Sequence, residues 1–147
     1  MRGYLLDTNH VGPYCYKHPS FRERLRQVPH ETLLRVCAIS LGEMEVAKRI
    51  TASTDFSRRD ELDAFVVREL LPHAIDIKDT TRVYYGRIVE RIWRKHPPRS
   101  NKVGTEPHLR TLGVDINDVW IVAIAWEHGL TLLTQDIKLP ISKYIFL

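Results

Sequence analysis

Cysteine is scarce in this sequence. Its two copies, Cys15 and Cys37, stand far apart, so they form neither a metal-binding pair nor a disulfide framework, and both read as reduced packing residues. Long apolar runs are missing as well. No stretch approaches the roughly 20 apolar residues that a bilayer-spanning helix requires, and the chain goes into Tyr4-Leu5-Leu6 without the longer apolar run of a signal peptide. The expectation is a cytoplasmic chain with no membrane partner. A Gly-rich phosphate loop, a Gly-x-Ser-x-Gly elbow and a Cys/His nucleophile pair are also absent, which removes the commoner catalytic alternatives.

What is present fits one compact domain, 1–147. The 147 residues are 44% hydrophobic, enough to bury a real core. The net charge is +4 with a pI near 9.2, which favours an anionic partner, although a basic surface that only keeps the chain soluble has nearly the same weight. Arg87, Arg91, Arg94 and Lys95 recur at helical spacing opposite Tyr85, Ile88 and Ile92, so one helix carries a cationic outer face.

In chain order, strand and helix patterns alternate. Tyr4-Leu5-Leu6 reads as a buried strand ending at Asp7, and 9–28 reads as a Gly12-Pro13 turn followed by a helix with Phe21, Leu25 and Val28. Residues 33–39 suit a second buried strand, and Ser40 opens a helix carrying Met44, Ala47 and Ile50. After a polar link over 51–59 comes a helix with Leu62, Phe65, Val66 and Leu70, ended by Pro72; 74–77 then makes a short third strand, and Asp79 caps the basic helix. Residues 97–113 show no periodicity and read as a flexible loop or functional flap. Asn117 begins an apolar helix closed by Gly129, 130–134 is a strand, and 143–147 a last edge strand. The class is α/β in three layers, with helices on both faces of a central, mainly parallel sheet.

Four acids fall at element boundaries of this pattern. Asp7 and Asp136 each follow a strand, Glu43 stands three residues after Ser40, and Asp118 lies in the first turn of the apolar helix. Each has a plain structural use: a helix cap for Asp7, a capping box with Ser40 for Glu43, helix-dipole complementation for Asp118, a turn for Asp136. Together at one sheet rim they would repel unless a cation neutralised them. All-oxygen ligands point to Mg²⁺ or Mn²⁺ rather than zinc, and such ions serve phosphodiester hydrolysis. Asp115, three residues before Asp118, competes with Asp136 as fourth acid, but its place outside the helix suits it to accepting a backbone N–H.

The motifs Leu5-Leu6-Asp7-Thr8-Asn9, Ser40-Leu41-Gly42-Glu43, Asn117-Asp118-Val119-Trp120-Ile121-Val122-Ala123 and His128-Gly129-Leu130-Thr131-Leu132-Leu133-Thr134-Gln135-Asp136 resemble, in order and spacing, the PIN-domain ribonucleases, especially toxins of the VapC type. The resemblance spans nearly the whole chain. It implies a PIN-like fold, Asp7, Glu43, Asp118 and Asp136 as catalytic acids and metal ligands, and Asn9 and Thr134 as polar residues near the site. It also implies metal-dependent cleavage of an RNA substrate, a homodimer, and a cognate antitoxin whose tail enters the site. The sequence departs from the pattern in the length of 97–113 and in Trp120 and Val122, which replace small residues of the apolar helix. Two alternatives stay open: an RNA-processing nuclease of the same type without an antitoxin, and a catalytically inactive RNA-binding module.

Overall fold

The computed structural model describes residues 3–29, 32–50 and 56–134. Strand β1 (Tyr4–Leu6) lies at the centre of a parallel sheet, with β2 (Leu34–Arg35) on one side and β3 (Thr131–Leu133) on the other. Successive side chains of a strand point to opposite faces. Leu5 therefore packs with Ile121, Ile124 and Ala125, while Leu6 packs with Val11, Phe21, Val36 and Leu70 on the other side. Both leucines are fully buried, and each contributes about 1.5–3 kcal/mol of apolar burial. A strand covered on both faces has no polar side, which is why the run into Asp7 is continuously apolar.

Helix α1 (Thr8–Cys15) starts directly after Asp7 and is followed by α2 (Pro19–Arg26). Gly12 and Pro13 thus lie inside a helix and not in the expected turn. Val11 and Cys15, four residues apart, are both buried, and the core they join outweighs the poor helix propensity of the Gly-Pro pair. The expected strand over 33–39 is cut to Leu34–Arg35, because α3 (Ala38–Ile50) begins two residues before Ser40. The expected strand over 74–77 is reduced to one bridge, Ile75 with Cys37; Asp76, Ile77 and Lys78 are exposed and join no strand among the described residues. Both cysteines are buried and free.

Helix α4 (Phe56–Phe65) continues through a π-helical turn (Val66–Leu70) and a short 3₁₀ turn holding Pro72, so helix begins within the expected polar link. Helix α5 (Thr81–Lys95) packs along α7 (Ile116–Glu127) through Ile88, Ile92, Val119, Val122 and Ala123, and Tyr85 stacks on Trp120 at 4.1 Å. The cationic outer face of α5 is present: Arg87, Arg91, Arg94 and Lys95 are exposed, with Arg94 paired to Glu90 at 2.7 Å and Arg91 over the Trp126 ring at 4.8 Å. Asp79 is not the α5 cap residue. Thr80 holds that position, and Asp79 accepts the Thr80 backbone N–H at 2.9 Å.

Residues 97–113 are not a loose flap. They contain α6 (Thr105–Thr111), whose His108 and Leu109 are buried, with His108 Nε2 2.6 Å from the His96 carbonyl oxygen and its ring edge-on to Trp93. Two helical turns are too short to show a period in sequence. Helix α7 starts at Ile116, one residue earlier than expected, and Gly129 closes it with a φ of +62°, the left-handed conformation that favours glycine. No helix among the described residues is long and apolar enough to cross a membrane. The expected edge strand over 143–147 lies outside the described residues.

At the far end of α7, the Glu127 carboxylate receives the hydroxyls of Thr80 and Thr81 and so ties α7 to the start of α5. Burial pushes this carboxyl up, but the two threonine hydroxyls and the charges of His128 and Lys78 hold it below its ordinary value of 4.5. A carboxyl depressed by folding adds stability above its unfolded pKa and loses it as pH falls through its folded pKa. Glu127→Gln should therefore be less stable than wild type at pH 7, the gap closing below about pH 4. Chemical unfolding at both pH values checks this; a gap of unchanged size at pH 3 would refute it.

Candidate functional site

The carboxyl ends of β1, β2 and β3 share one rim, and in an open α/β sheet that rim is where ligands bind. Asp7 sits on it directly after β1, its own N–H bonded to the Leu133 carbonyl oxygen at 3.0 Å. It is 7% exposed. One carboxylate oxygen accepts the Thr8 backbone N–H at 2.7 Å, as the cap of α1, and the other accepts the Thr134 hydroxyl from the end of β3 at 3.0 Å. The cap role and a place in the cleft are compatible.

Glu43 reaches the same place from within α3. Because α3 opens at Ala38, Ser40 is a buried helix residue and the capping box does not form; Ser40 Oγ lies 3.6 Å from Cys37 Sγ. The Glu43 carboxylate is turned across the rim, where one oxygen accepts the Thr8 hydroxyl and the other the Asn117 side-chain amide at 2.9 Å. Asp118, in the first turn of α7, completes the wall. Asp7, Glu43 and Asp118 thus line one cleft of about 760 Å³ with Thr8, Asn9 and Asn117, and Ile39, Val46 and Ile50 form its apolar side.

Asn9 is exposed on the cleft wall, and Thr134 bonds Asp7. Asp115 does not line the cleft. It accepts the Asn117 backbone N–H at 2.7 Å and caps α7, the stabilising place its position before the helix suits. Asp136 lies outside the described residues. Thr8 and Asn117 belong to the quoted motifs, but only the folded chain reveals them as donors to the acids. The one local signal for Thr8 was a hydroxyl immediately after a strand-end aspartate.

The donor set consists of carboxylate, hydroxyl and amide oxygens, which suits a hard divalent cation. Every oxygen of Asp7 and Glu43 takes one of these hydrogen bonds, and a carboxylate oxygen has two lone pairs, so each retains acceptor capacity. Among the described residues no three His, Cys, Asp or Glu side chains close into a ready-made metal-binding group. The set is right in chemistry and open in arrangement. Beside it, between α1, α3 and α4, runs a larger and mostly apolar groove of about 1020 Å³, which shares Thr8 and Ala47 with the cleft and is lined by Leu41, Met44, Leu62 and Val66.

No family model matches this sequence, and no curated protein matches it. Solved structures do. A chain of VapBC2 from Rickettsia felis, bound to a DNA fragment from their promoter, is 23% identical, with a TM-score of 0.65 over 92% of this chain and 89% of that one. A chain of VapBC-1 from nontypeable Haemophilus influenzae is 18% identical, with a TM-score of 0.64 over 98% and 96%. FitAcB from Neisseria gonorrhoeae gives 20%, 0.58, and 90% and 87%. At these identities the likeness shows the fold, the PIN-like α/β architecture with a parallel sheet that the motifs imply.

Proposed function

We propose that this protein is a Mg²⁺- or Mn²⁺-dependent endoribonuclease and the toxin member of a toxin-antitoxin pair. The observation that carries the reading is the convergence of Asp7, Glu43 and Asp118, from three separate elements, on one cleft at the carboxyl rim of the sheet. Bare carboxylates repel a phosphodiester, so such a cleft serves an RNA strand only with a cation in it. Asp7, Glu43 and Asp118, with Asp136 as the outer fourth ligand, would hold that cation. When bound, it supplies an activated water and charge neutralisation at the leaving oxygen. Thr8, Thr134 and Asn117 donate hydrogen bonds to Asp7 and Glu43, and the +4 charge of the chain draws the polyanion.

The apolar groove beside the cleft supports a protein partner, an antitoxin, and a second copy of the chain is proposed to complete the assembly. The test is incubation of the purified chain with single-stranded RNA, with Mg²⁺ or with EDTA. Cleavage in Mg²⁺ and none in EDTA is expected; intact RNA under every metal condition would leave only a binding module. The DNA held by the Rickettsia felis complex gives a second reading some support, in which this chain is a DNA-contacting member. Salt-dependent binding of duplex DNA by the chain alone, without RNA cleavage, would favour it.

A further inference from the structure

We propose that Thr8 and Asn117 are positioning residues for the metal-binding carboxylates, acting through Glu43; this rests on the metal-dependent reading above. Glu43 projects from the middle of α3 on a long, rotatable side chain, which left alone would sample many directions. Two donors from two other helices fix it. Thr8 is the first residue of α1 and gives its backbone N–H to Asp7 and its only hydroxyl proton to Glu43, so one residue ties two acids together. Asn117, at the start of α7, gives its amide to the other Glu43 oxygen, and its own backbone N–H is held by Asp115. With one donor on each oxygen, Glu43 keeps a lone pair on each for a cation.

Two rival roles make different predictions. If the contacts only staple α1, α3 and α7 together, losing one should lower the melting temperature without changing metal affinity. If the donors compete with the cation for Glu43, losing one should tighten binding. Positioning requires the opposite: groups that orient a metal ligand typically cost 10- to 100-fold in affinity when removed.

Calorimetric titration of the full chain with Mn²⁺ alone, without RNA, decides among them. Thr8→Val keeps the branched shape and removes the hydroxyl, and should weaken Mn²⁺ binding about tenfold or more, while Thr8→Ser restores the donor and should bind as wild type does. Asn117→Ala probes the second donor independently and should also weaken binding, so a Thr8→Val chain that fails to fold leaves the test intact. Wild-type Mn²⁺ binding with unchanged or tighter binding by the folded variants would overturn the positioning role alone. Absence of Mn²⁺ binding by wild type would overturn the metal-dependent reading with it.

Discussion

Replacing Asp7 with asparagine is expected to slow RNA cleavage by about a hundredfold or more while leaving the fold and its stability nearly unchanged. The expectation follows from what each Asp7 oxygen does. One caps α1 on the Thr8 N–H, and asparagine caps a helix as well as aspartate does. The other receives the Thr134 hydroxyl; there the asparagine NH₂ can donate to the same hydroxyl oxygen, so no buried polar group is orphaned. What disappears is the charge that the proposed cation would need. Asp7→Ala, in contrast, should lose the cap and cost about 1 kcal/mol besides the activity. RNA cleavage assays together with thermal melting in EDTA separate the two effects. In EDTA the asparagine variant should melt no lower than wild type, since removing one of several neighbouring like charges relieves repulsion. A folded Asp7→Asn chain that cleaves RNA at the wild-type rate would remove Asp7 from the site.

How far this site could be read in advance depends on the range of the contacts that make it. Asp7 was legible because its signal is local: an apolar run and then turn formers place it at the end of a strand. Asp118 was legible for a related reason, since an apolar helix without a polar face can only be buried, and it carries its first-turn acid to the sheet. Glu43 was ambiguous because Ser-x-x-Glu fits a capping box and an ordinary helix face equally. Its actual donors lie 35 and 74 residues away, beyond any local pattern. The strands around 33–39 and 74–77 were overextended for the converse reason. Apolar composition marks burial, but Ala38 and Ile39 are half-buried as the start of α3, and only Ile75 of the second segment forms a bridge, to Cys37.

Within 97–113 the helix over 105–111 was not legible, and it carries the largest expected effect on stability. Leu109 is 1% exposed and belongs to the cluster formed by Ile88, Ile92, Val114, Val119, Val122 and Ala123, so α6 closes one side of the α5 and α7 pair. His108 holds the helix down from the neighbouring position by its contact with the His96 carbonyl. Leu109→Ala removes a buried branched side chain from a packed site and leaves a cavity, a change that costs about 2–5 kcal/mol. For a chain of this length, a loss of about 3 kcal/mol lowers the melting temperature by about 6–12 °C. The charged surface of the same segment should behave differently. Arg110 is exposed and paired with Glu106 at 2.8 Å, so Arg110→Ala should change stability by no more than about 0.5 kcal/mol. Thermal melting of the two variants side by side tests the structural role. A flap would tolerate both equally, and a Leu109→Ala chain that melts within a degree or two of wild type would return 97–113 to that description.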